Sequence, residues 1–211
     1  MVIDLANVQW KEFPLTSIFE LCLSLGDNQA KLLPEGKMPL VSAGTSNNAI
    51  CKFIKHGDGK SQLFARNVIT VDMFGKVFYQ PTQFYAVSHG RINILIPKIR
   101  FNKFIGIFIV QILENRFRNK FSYSIMCNQN RLLKEKIMLP VNSKGEPDYE
   151  FMEEYIKERE AKLKNQYKEH IKSLVEKLHK EVCINKDWQI LDCFIKWYFF
   201  RSNAICYTEF S

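Results

Sequence analysis

The stretch that decides the fold is LPVNSKGEPDYEFMEEYIKEREAKLKNQYKEHIKSLVEKLHKEV, which occupies residues 139–182. Pro147 ends an extended segment, and Asp148 can accept hydrogen bonds from the free backbone N–H groups of a helix that begins at Tyr149. Glutamates in the first turns place negative charge where the helix dipole favours it. A helix over residues 148–182 would be ~52 Å long. We therefore predict a helix that is too long for a small domain to cover.

The apolar residues of this predicted helix fall mostly three or four positions apart, and polar or charged residues fill most of the other positions. They are Met152, Ile156, Leu163, Tyr167, Ile171, Leu174, Leu178 and Val182. Such a narrow apolar stripe is typical of a helix that pairs with one partner helix, as in a coiled coil. We predict that residues 152–156 pack on the preceding domain and that the six positions from Leu163 to Val182 mediate dimerisation. The alternative is a helix that lies on its own domain.

Length and charge indicate one domain with an appendage. The 211 residues are 46% hydrophobic and 13% aromatic, which is enough to build a core. Residues 1–147 hold 19 Lys and Arg against 10 Asp and Glu, whereas residues 148–182 hold 8 against 9. A basic domain beside a nearly neutral helix favours a polyanion as the partner of the domain and a protein as the partner of the helix.

Several protein classes are disfavoured by what the sequence lacks. The N-terminus has no signal-peptide pattern, and the apolar run at 104–110 is too short to span a bilayer. The six cysteines form no CxxC pair and no zinc-ligand spacing with histidine, so we expect free thiols in a reducing cytoplasm and no metal site. The motifs GxSxG, HExxH and GxGxxG are absent, as is the Asn/Asp-Pro-Pro-aromatic tetrapeptide of amino-methyltransferases. We therefore expect no catalytic residue and no enzyme activity in this chain.

Hydrophobic periodicity predicts an α+β fold, in which one globular mixed α/β domain with several short strands precedes the long helix. Helices are predicted over 17–25 and over 102–117. Strands are predicted at 38–42, 68–73, 77–79, 83–87, 92–97 and 131–140. Residues 43–62 are rich in Gly, Ser, Asn and Lys and are predicted to form a connection.

The residues after the long helix differ from it in character. Residues 183–211 are aromatic and low in charge. Trp197 and Phe200 repeat the spacing of Trp10 and Phe13, which is either chance or the start of a second copy of the domain. The predicted organisation is thus a domain (1–147), a dimerisation and spacer helix (148–182) and an aromatic tail (183–211).

Four segments of the chain resemble the specificity (S) subunits of type I restriction–modification systems. They are WKEFPLTSIFEL (10–21), MPLVSAGTSNNAI (38–50), ITVDMFGKVFY (69–79) and IMLPVNSKGEPDYEFMEEYI (137–156). They also resemble the separate specificity chains of some related type II enzymes. The resemblance covers residues 8–182, and its most specific part is the passage leading into the long helix.

This resemblance implies a target-recognition domain that reads DNA sequence on behalf of a methyltransferase. A full-length S subunit has two such domains and two long helices that pair antiparallel, so this chain resembles a half-subunit. The expected partners are double-stranded DNA, methyltransferase (M) subunits and a restriction (R) motor subunit. S-adenosylmethionine is expected on the M subunit, with no cofactor in this chain. A homodimer formed through the helix would read a palindromic split target.

Candidate DNA contacts follow from chemistry, because Lys and Arg suit phosphates while small polar side chains suit base edges. The candidates are Ser42, Thr45, Asn47, Asn48, Lys52, Lys55, Lys60, Lys76, Gln80, Arg91, Lys98 and Arg100. Arg91 and Arg100 are the preferred guanine readers, because arginine can pair with guanine O6 and N7 through two hydrogen bonds.

Two other functions remain open at this point. One is a coiled-coil assembly protein whose basic domain binds RNA or an acidic protein. The other is a fragment of a fused restriction enzyme with its own chemistry, against which the absent motifs argue. Binding to a defined duplex sequence would separate the first alternative from a specificity subunit.

Overall fold

A computed structural model describes residues 5–24, 26–87 and 91–185, with side chains up to His179. The chain divides into two compact units, residues 1–159 and 160–211. Within the described residues the helices are α1 (Leu15–Ile18), α2 (Lys103–Phe117), α3 (Gln129–Leu132) and α4 (Tyr149–Asn185). The strands are β1 (Trp10–Pro14), β2 (Phe19–Leu23), β3 (Glu35–Val41), β4 (Ile50–Ile54), β5 (Val68–Asp72), β6 (Val77–Gln80), β7 (Tyr85–Ala86), β8 (Ile92–Pro97) and β9 (Lys136–Pro140). The predicted mixed α/β class with a long C-terminal helix is confirmed.

The first unit is built around an antiparallel sheet in the order β2-β8-β5-β6. Every residue of β5 is buried, so both faces of this strand are covered. Because side chains alternate along a strand, Ile69 and Val71 join one buried cluster and Val68 joins another. The sheet therefore separates two packed layers.

Helix α2 covers one face of this sheet. The Asn102 side chain caps the helix by accepting hydrogen bonds from the N–H groups of Phe104 (2.9 Å) and Ile105 (3.1 Å). Gly106 allows the helix to approach Tyr79, since an added Cβ would lie 2.5 Å from the ring carbon Cδ2. The predicted helix over 102–117 is confirmed.

A smaller sheet, in the order β4-β3-β7, forms a second structural layer. Val41 and Ala86 from this sheet share a buried cluster with Ile94 of the central sheet. The stacked rings of Phe64 and Phe84, with centroids 5.5 Å apart, complete the cluster. The loop between β3 and β4 is thereby held beside the central sheet, where it contacts β6.

The strands that begin and end the domain pair with each other. Trp10 of β1 lies opposite Pro140 of β9 in an antiparallel ribbon. Helix α4 follows, and its start is capped by Asp148, whose Oδ1 accepts a hydrogen bond of 3.0 Å from the N–H of Phe151. Met152 is fully buried and Ile156 packs on the same core. The predicted cap and the packing of residues 152–156 are confirmed.

The second unit begins within α4, and its stripe residues are accessible. Leu163, Tyr167, Leu174 and Leu178 are 40–66% exposed, and Ile171 is half-buried. Helix α4 continues to Asn185. The side chain of Val182 lies outside the described residues, as does most of the tail predicted over 183–211.

Three sequence-based assignments are wrong. Residues 19–23 form strand β2 rather than a helix over 17–25, because Phe19–Leu23 pairs with β8. The strand predicted over 131–140 begins only at β9, since Asn128 caps the short helix α3 before it. Strand β4 lies inside the connection predicted over 43–62 and pairs with β3. In β2 and β4, pairing with a neighbouring strand outweighs the structural preference of the local sequence pattern.

Candidate nucleic-acid interface

The loop between β3 and β4 contains a left-handed turn at Asn47–Ala49. Its φ angles are 51°, 50° and 57° for Asn47, Asn48 and Ala49. Left-handed backbone costs roughly 1–2 kcal/mol per residue for most L-amino acids, although asparagine tolerates it better. Two hydrogen bonds close the turn, from Ala49 N–H to Ser46 O (2.8 Å) and from Ser42 N–H to Ala49 O (2.9 Å). The turn therefore needs support from the rest of the domain.

That support comes from Tyr79 and Gln80 at the end of β6, which we call the Tyr79–Gln80 anchor. The Asn48 amide donates to the backbone O of Tyr79 (3.3 Å), and the Gln80 amide donates to the backbone O of Asn48 (3.2 Å). Gln80 is 2% exposed, and its amide also donates to Thr70 Oγ1 (2.9 Å). Both partners of Gln80 belong to the protein, which favours a supporting role for this predicted DNA contact.

A second connection, just before β5, is fixed to the same anchor. Asn67 has a φ of 61°, and its N–H donates to Gln80 O (2.9 Å). The Tyr79 hydroxyl donates to the Asn67 side-chain oxygen. Burial raises the pKa of the Tyr79 phenol, and the positive charge of Arg66 opposes that rise. Exposed Arg66 therefore lies close to the anchor.

The beginning of the loop is held at the other end of β5. The Asp72 carboxylate is 3% exposed and accepts hydrogen bonds from the N–H groups of Phe74 (2.8 Å) and Lys76 (2.9 Å). The backbone N–H of Gly44 also faces this carboxylate and favours its charged form. Burial raises the pKa of Asp72, and these donors oppose the rise. The loop is therefore held at Gly44 and at Asn48, and the side chains of Thr45 and Asn47 between them are exposed.

Three candidate lysines lie in β4 and in the segment after it, and they differ in exposure and in hydrogen bonding. The Lys52 ammonium donates to the backbone oxygens of Ala30 (3.0 Å) and Leu33 (2.8 Å), so two of its three donors are used within the protein. Lys55 and Lys60 are exposed and follow β4, at the end of that strand away from the left-handed turn. Only Lys55 and Lys60 of the three keep the accessibility expected of a phosphate contact.

Lys76 and Arg91 lie near each other at one end of the central sheet. The backbone O of Lys76 accepts from Asp72 N–H, and the backbone O of Arg91 accepts from Met73 N–H (3.0 Å). The Lys76 ammonium lies 3.4 Å from Glu114 Oε2, whereas Arg91 is exposed. Because β5 and β6 are antiparallel and Val68 lies opposite Gln80, this pair is at the opposite end from the anchor.

Lys98 and Arg100 follow β8. Lys98 lies near α1, and Arg100 lies near the start of α4. The Lys98 ammonium donates to Thr16 O (2.9 Å). Hydrogen bonds from Lys157 and Asn102 lower the pKa of Glu153, and the charge of Arg100 contributes in the same direction. The structure therefore brings the polar candidates together at the loop between β3 and β4 and the end of β6; these are Ser42, Thr45, Asn47, Asn48 and Gln80. The charged candidates lie in other parts of the domain.

Arg66 is a further candidate contact that the sequence alone did not single out. It contributed to the positive charge of the domain, but no motif marked it as a contact. The signal that identifies it is the tertiary link from Asn67 to the Tyr79–Gln80 anchor, which no local pattern contains.

No group of three or more His, Cys, Asp or Glu residues in the described part of the chain could hold a metal ion. Cys22, Cys51 and Cys127 are free thiols, and burial raises the pKa of Cys127 to about 12. None of the helices in the described ranges is long and apolar enough to cross a membrane.

Comparison with known protein families shows the family of this chain. Residues 7–172 match the family model for the type I restriction modification DNA specificity domain. The chain belongs to this family. The resemblance to S subunits drawn from the sequence is confirmed.

Two relatives show how much of a specificity subunit the chain represents. It is 31% identical over 165 residues to the S.BcgI specificity subunit of a type II restriction enzyme from Heyndrickxia coagulans, covering 76% of this chain and 46% of the relative. The crystal structure of the type I S subunit from M. genitalium has the same fold, with a TM-score of 0.52 and 18% identity, covering 81% of this chain and 44% of that one. The chain thus spans less than half the length of these specificity subunits.

Proposed function

We propose that this chain is a sequence-specific DNA-binding subunit that directs a partner methyltransferase, and a nuclease, to a bipartite DNA target. The observation that carries this proposal is the match of residues 7–172 to the DNA specificity domain family. That match includes the whole left-handed turn and the first half of α4. In this proposal the chain itself is not an enzyme, and it acts in the cytoplasm.

The charge of the domain supports a DNA partner. Residues 1–147 carry nine more basic than acidic side chains. Lys55, Lys60, Arg91 and Arg100 are exposed and suit phosphate contacts that orient the domain on the duplex. Polar side chains of the loop between β3 and β4, including Thr45 and Asn47, are exposed and suit base edges. The domain thus combines the two kinds of contact that specific binding needs.

The exposed stripe on α4 supports a homodimer. Leu163, Tyr167, Leu174 and Leu178 present apolar surface at coiled-coil spacing. Pairing two such helices would bury the stripe, and a two-fold dimer would read a palindromic split site. The M subunit, with its S-adenosylmethionine, and the R motor subunit would then assemble on this dimer.

The alternative of an assembly protein that binds RNA or an acidic protein gains no support from the comparisons. It makes a different prediction, because such a protein would select no duplex sequence. The same experiment therefore tests both.

The decisive experiment is selection from random duplex DNA by the full chain, alone and with its M subunit. We expect enrichment of two short conserved half-sites separated by a spacer of fixed length. Equal recovery of all duplexes under both conditions would overturn the proposal. Methyl transfer should appear only with the M subunit present, and transfer by the chain alone would contradict its non-catalytic role.

Solution mass tests the dimer separately. Light scattering should give a mass near twice 24.8 kDa. A stable monomer, both alone and with the M subunit, would remove the homodimer and the palindromic site with it.

A further inference from the structure

Two exposed side chains, Asn47 and Arg66, are presented from a single support. Their chain neighbours Asn48 and Asn67 are both fixed to the Tyr79–Gln80 anchor. The two connections are separate in sequence, yet they converge on two adjacent residues of one strand. Asn47 and Arg66 therefore have fixed backbones close to one another.

The support itself is rigid because it belongs to the buried sheet. Gln80 is 2% exposed and bonds to Thr70, which is also 2% exposed. Tyr79 packs against Gly106 of α2 and lies 6.4 Å, between ring centroids, from Phe101. A side chain mounted on such a support loses less conformational freedom on binding than one on a loose loop.

The side chains of Asn47 and Arg66 have their donors available. Within the residues that the structure describes, neither side chain makes a hydrogen bond or an ion pair. Arginine can donate two hydrogen bonds to guanine O6 and N7, and asparagine can pair with adenine N6 and N7. Arginine and asparagine are therefore the residue types best suited to reading purines in a major groove.

We propose that Asn47 and Arg66 form the base-reading pair of this domain, with Arg66 on guanine and Asn47 on adenine. Gln80 is a positioning residue, because its amide donates to the backbone O of Asn48, the chain neighbour of Asn47. This inference rests on the proposed function, since it assumes that the domain binds duplex DNA. It transfers the guanine-reading role from Arg91 and Arg100 to Arg66, because of these three arginines Arg66 alone shares a support with the polar turn.

The test repeats the DNA selection with full-length Arg66→Ala and Asn47→Ala, each with the M subunit. Each variant should lose discrimination at one or two positions of the half-site, by roughly 5- to 150-fold. Binding to unrelated DNA should change little. Arg91→Ala is the matched comparison, because loss of a phosphate contact should weaken binding to all sequences while the selected sequence is retained. Circular dichroism melts verify that these exposed substitutions leave the fold intact.

The salt dependence of binding separates base reading from phosphate contact. A lost phosphate contact weakens binding to all sequences and reduces the salt slope by about 1. Uniform weakening with a lower slope in Arg66→Ala would overturn the proposal, as would an unchanged selected sequence in both variants. If the wild-type chain selects no sequence at all, the proposed function itself fails, which is a distinct result.

Gln80→Leu tests the positioning role through a separate readout. Removal of the amide should speed hydrogen exchange of the Ala49 N–H that closes the turn and weaken discrimination at the positions read by Asn47. Positions unaffected by Asn47→Ala should remain selected. Gln80→Leu that leaves both exchange and the selected sequence unchanged would contradict the role of the anchor.

Discussion

The two parts of helix α4 use the same kind of apolar stripe differently. In residues 149–159, Met152 is fully buried, and Tyr155 and Ile156 pack against the core of the domain. In residues 160–179, Leu163 and Tyr167 are 65% and 66% exposed. The spacing of apolar residues identifies a stripe in both parts, but only neighbouring elements decide what covers it. For the first part these elements include α2 and the β1–β9 ribbon.

The largest effect is expected in the buried part of the helix. Met152→Ala should lower the free energy of unfolding of the domain by about 2–5 kcal/mol, because it removes a buried side chain and leaves a cavity. Urea denaturation measures the change. An effect below ~1 kcal/mol would show that the core can collapse around the missing side chain.

A change in the exposed part should affect assembly instead of the domain. Leu174→Asp should weaken the proposed homodimer at least tenfold, about 1.4 kcal/mol, because it would bury a charge where the two apolar stripes pair. Sedimentation equilibrium measures the affinity. Ser173→Asp is the matched control, since Ser173 is exposed and lies off the stripe. Equal effects of the two substitutions would argue against pairing through the stripe.

A smaller effect is expected where the first part of α4 meets the start of α2. Asn102→Ala should cost about 1 kcal/mol through loss of the cap. The Asn102 amide also donates to Glu153 Oε2 (2.7 Å). Asn102→Ser retains a capping oxygen but loses the contact with Glu153, so it should recover most of the stability. Thermal unfolding of the three proteins tests this order, and no recovery by serine would assign the effect to Glu153.

The smallest effects are expected at two ion pairs on α4, each formed between a lysine and a glutamate four positions apart. Lys157 pairs with Glu153 (2.6 Å) in the first part, and Lys164 pairs with Glu160 (3.1 Å) in the second. Lys164→Ala should cost at most ~0.5 kcal/mol. Lys157→Ala should cost more, because its ammonium also lies 5.2 Å from the centre of the Phe104 ring. Thermal unfolding in low and high salt measures both changes, and a larger cost for Lys164→Ala would contradict this comparison.

Sequence reasoning succeeded where local chemistry determines the structure. The cap at Asp148 and the start of α4 depend on residues a few positions apart. A period of 3.6 predicts a buried face of α2 made of Phe104, Ile105, Phe108, Ile109, Ile112 and Leu113. Four of these six are buried, whereas Phe104 and Ile112 are partly exposed.

It failed where distant pairing determines the structure. The apolar residues Ile18 and Leu21 fit a helical spacing, yet the segment after Ile18 pairs as β2 with β8. The interface shows the same limit. The type of residue in the loop made Asn47 a candidate contact, which stays a prediction. The support from Gln80 and the position of Arg66 depend on contacts across the fold.

The pairing of β1 with β9 gives the domain one two-stranded stem, with entry at Trp10 and exit at Pro140 side by side. An inserted domain that keeps this stem and the contacts of Asn102 and Phe108 with Glu153 and Tyr155 should leave the direction of α4 unchanged. A chimaera joined within the stem should keep the assembly partners of the helix and acquire the target of the inserted domain. Under the proposed function, the stem would let sequence preference and assembly be inherited separately.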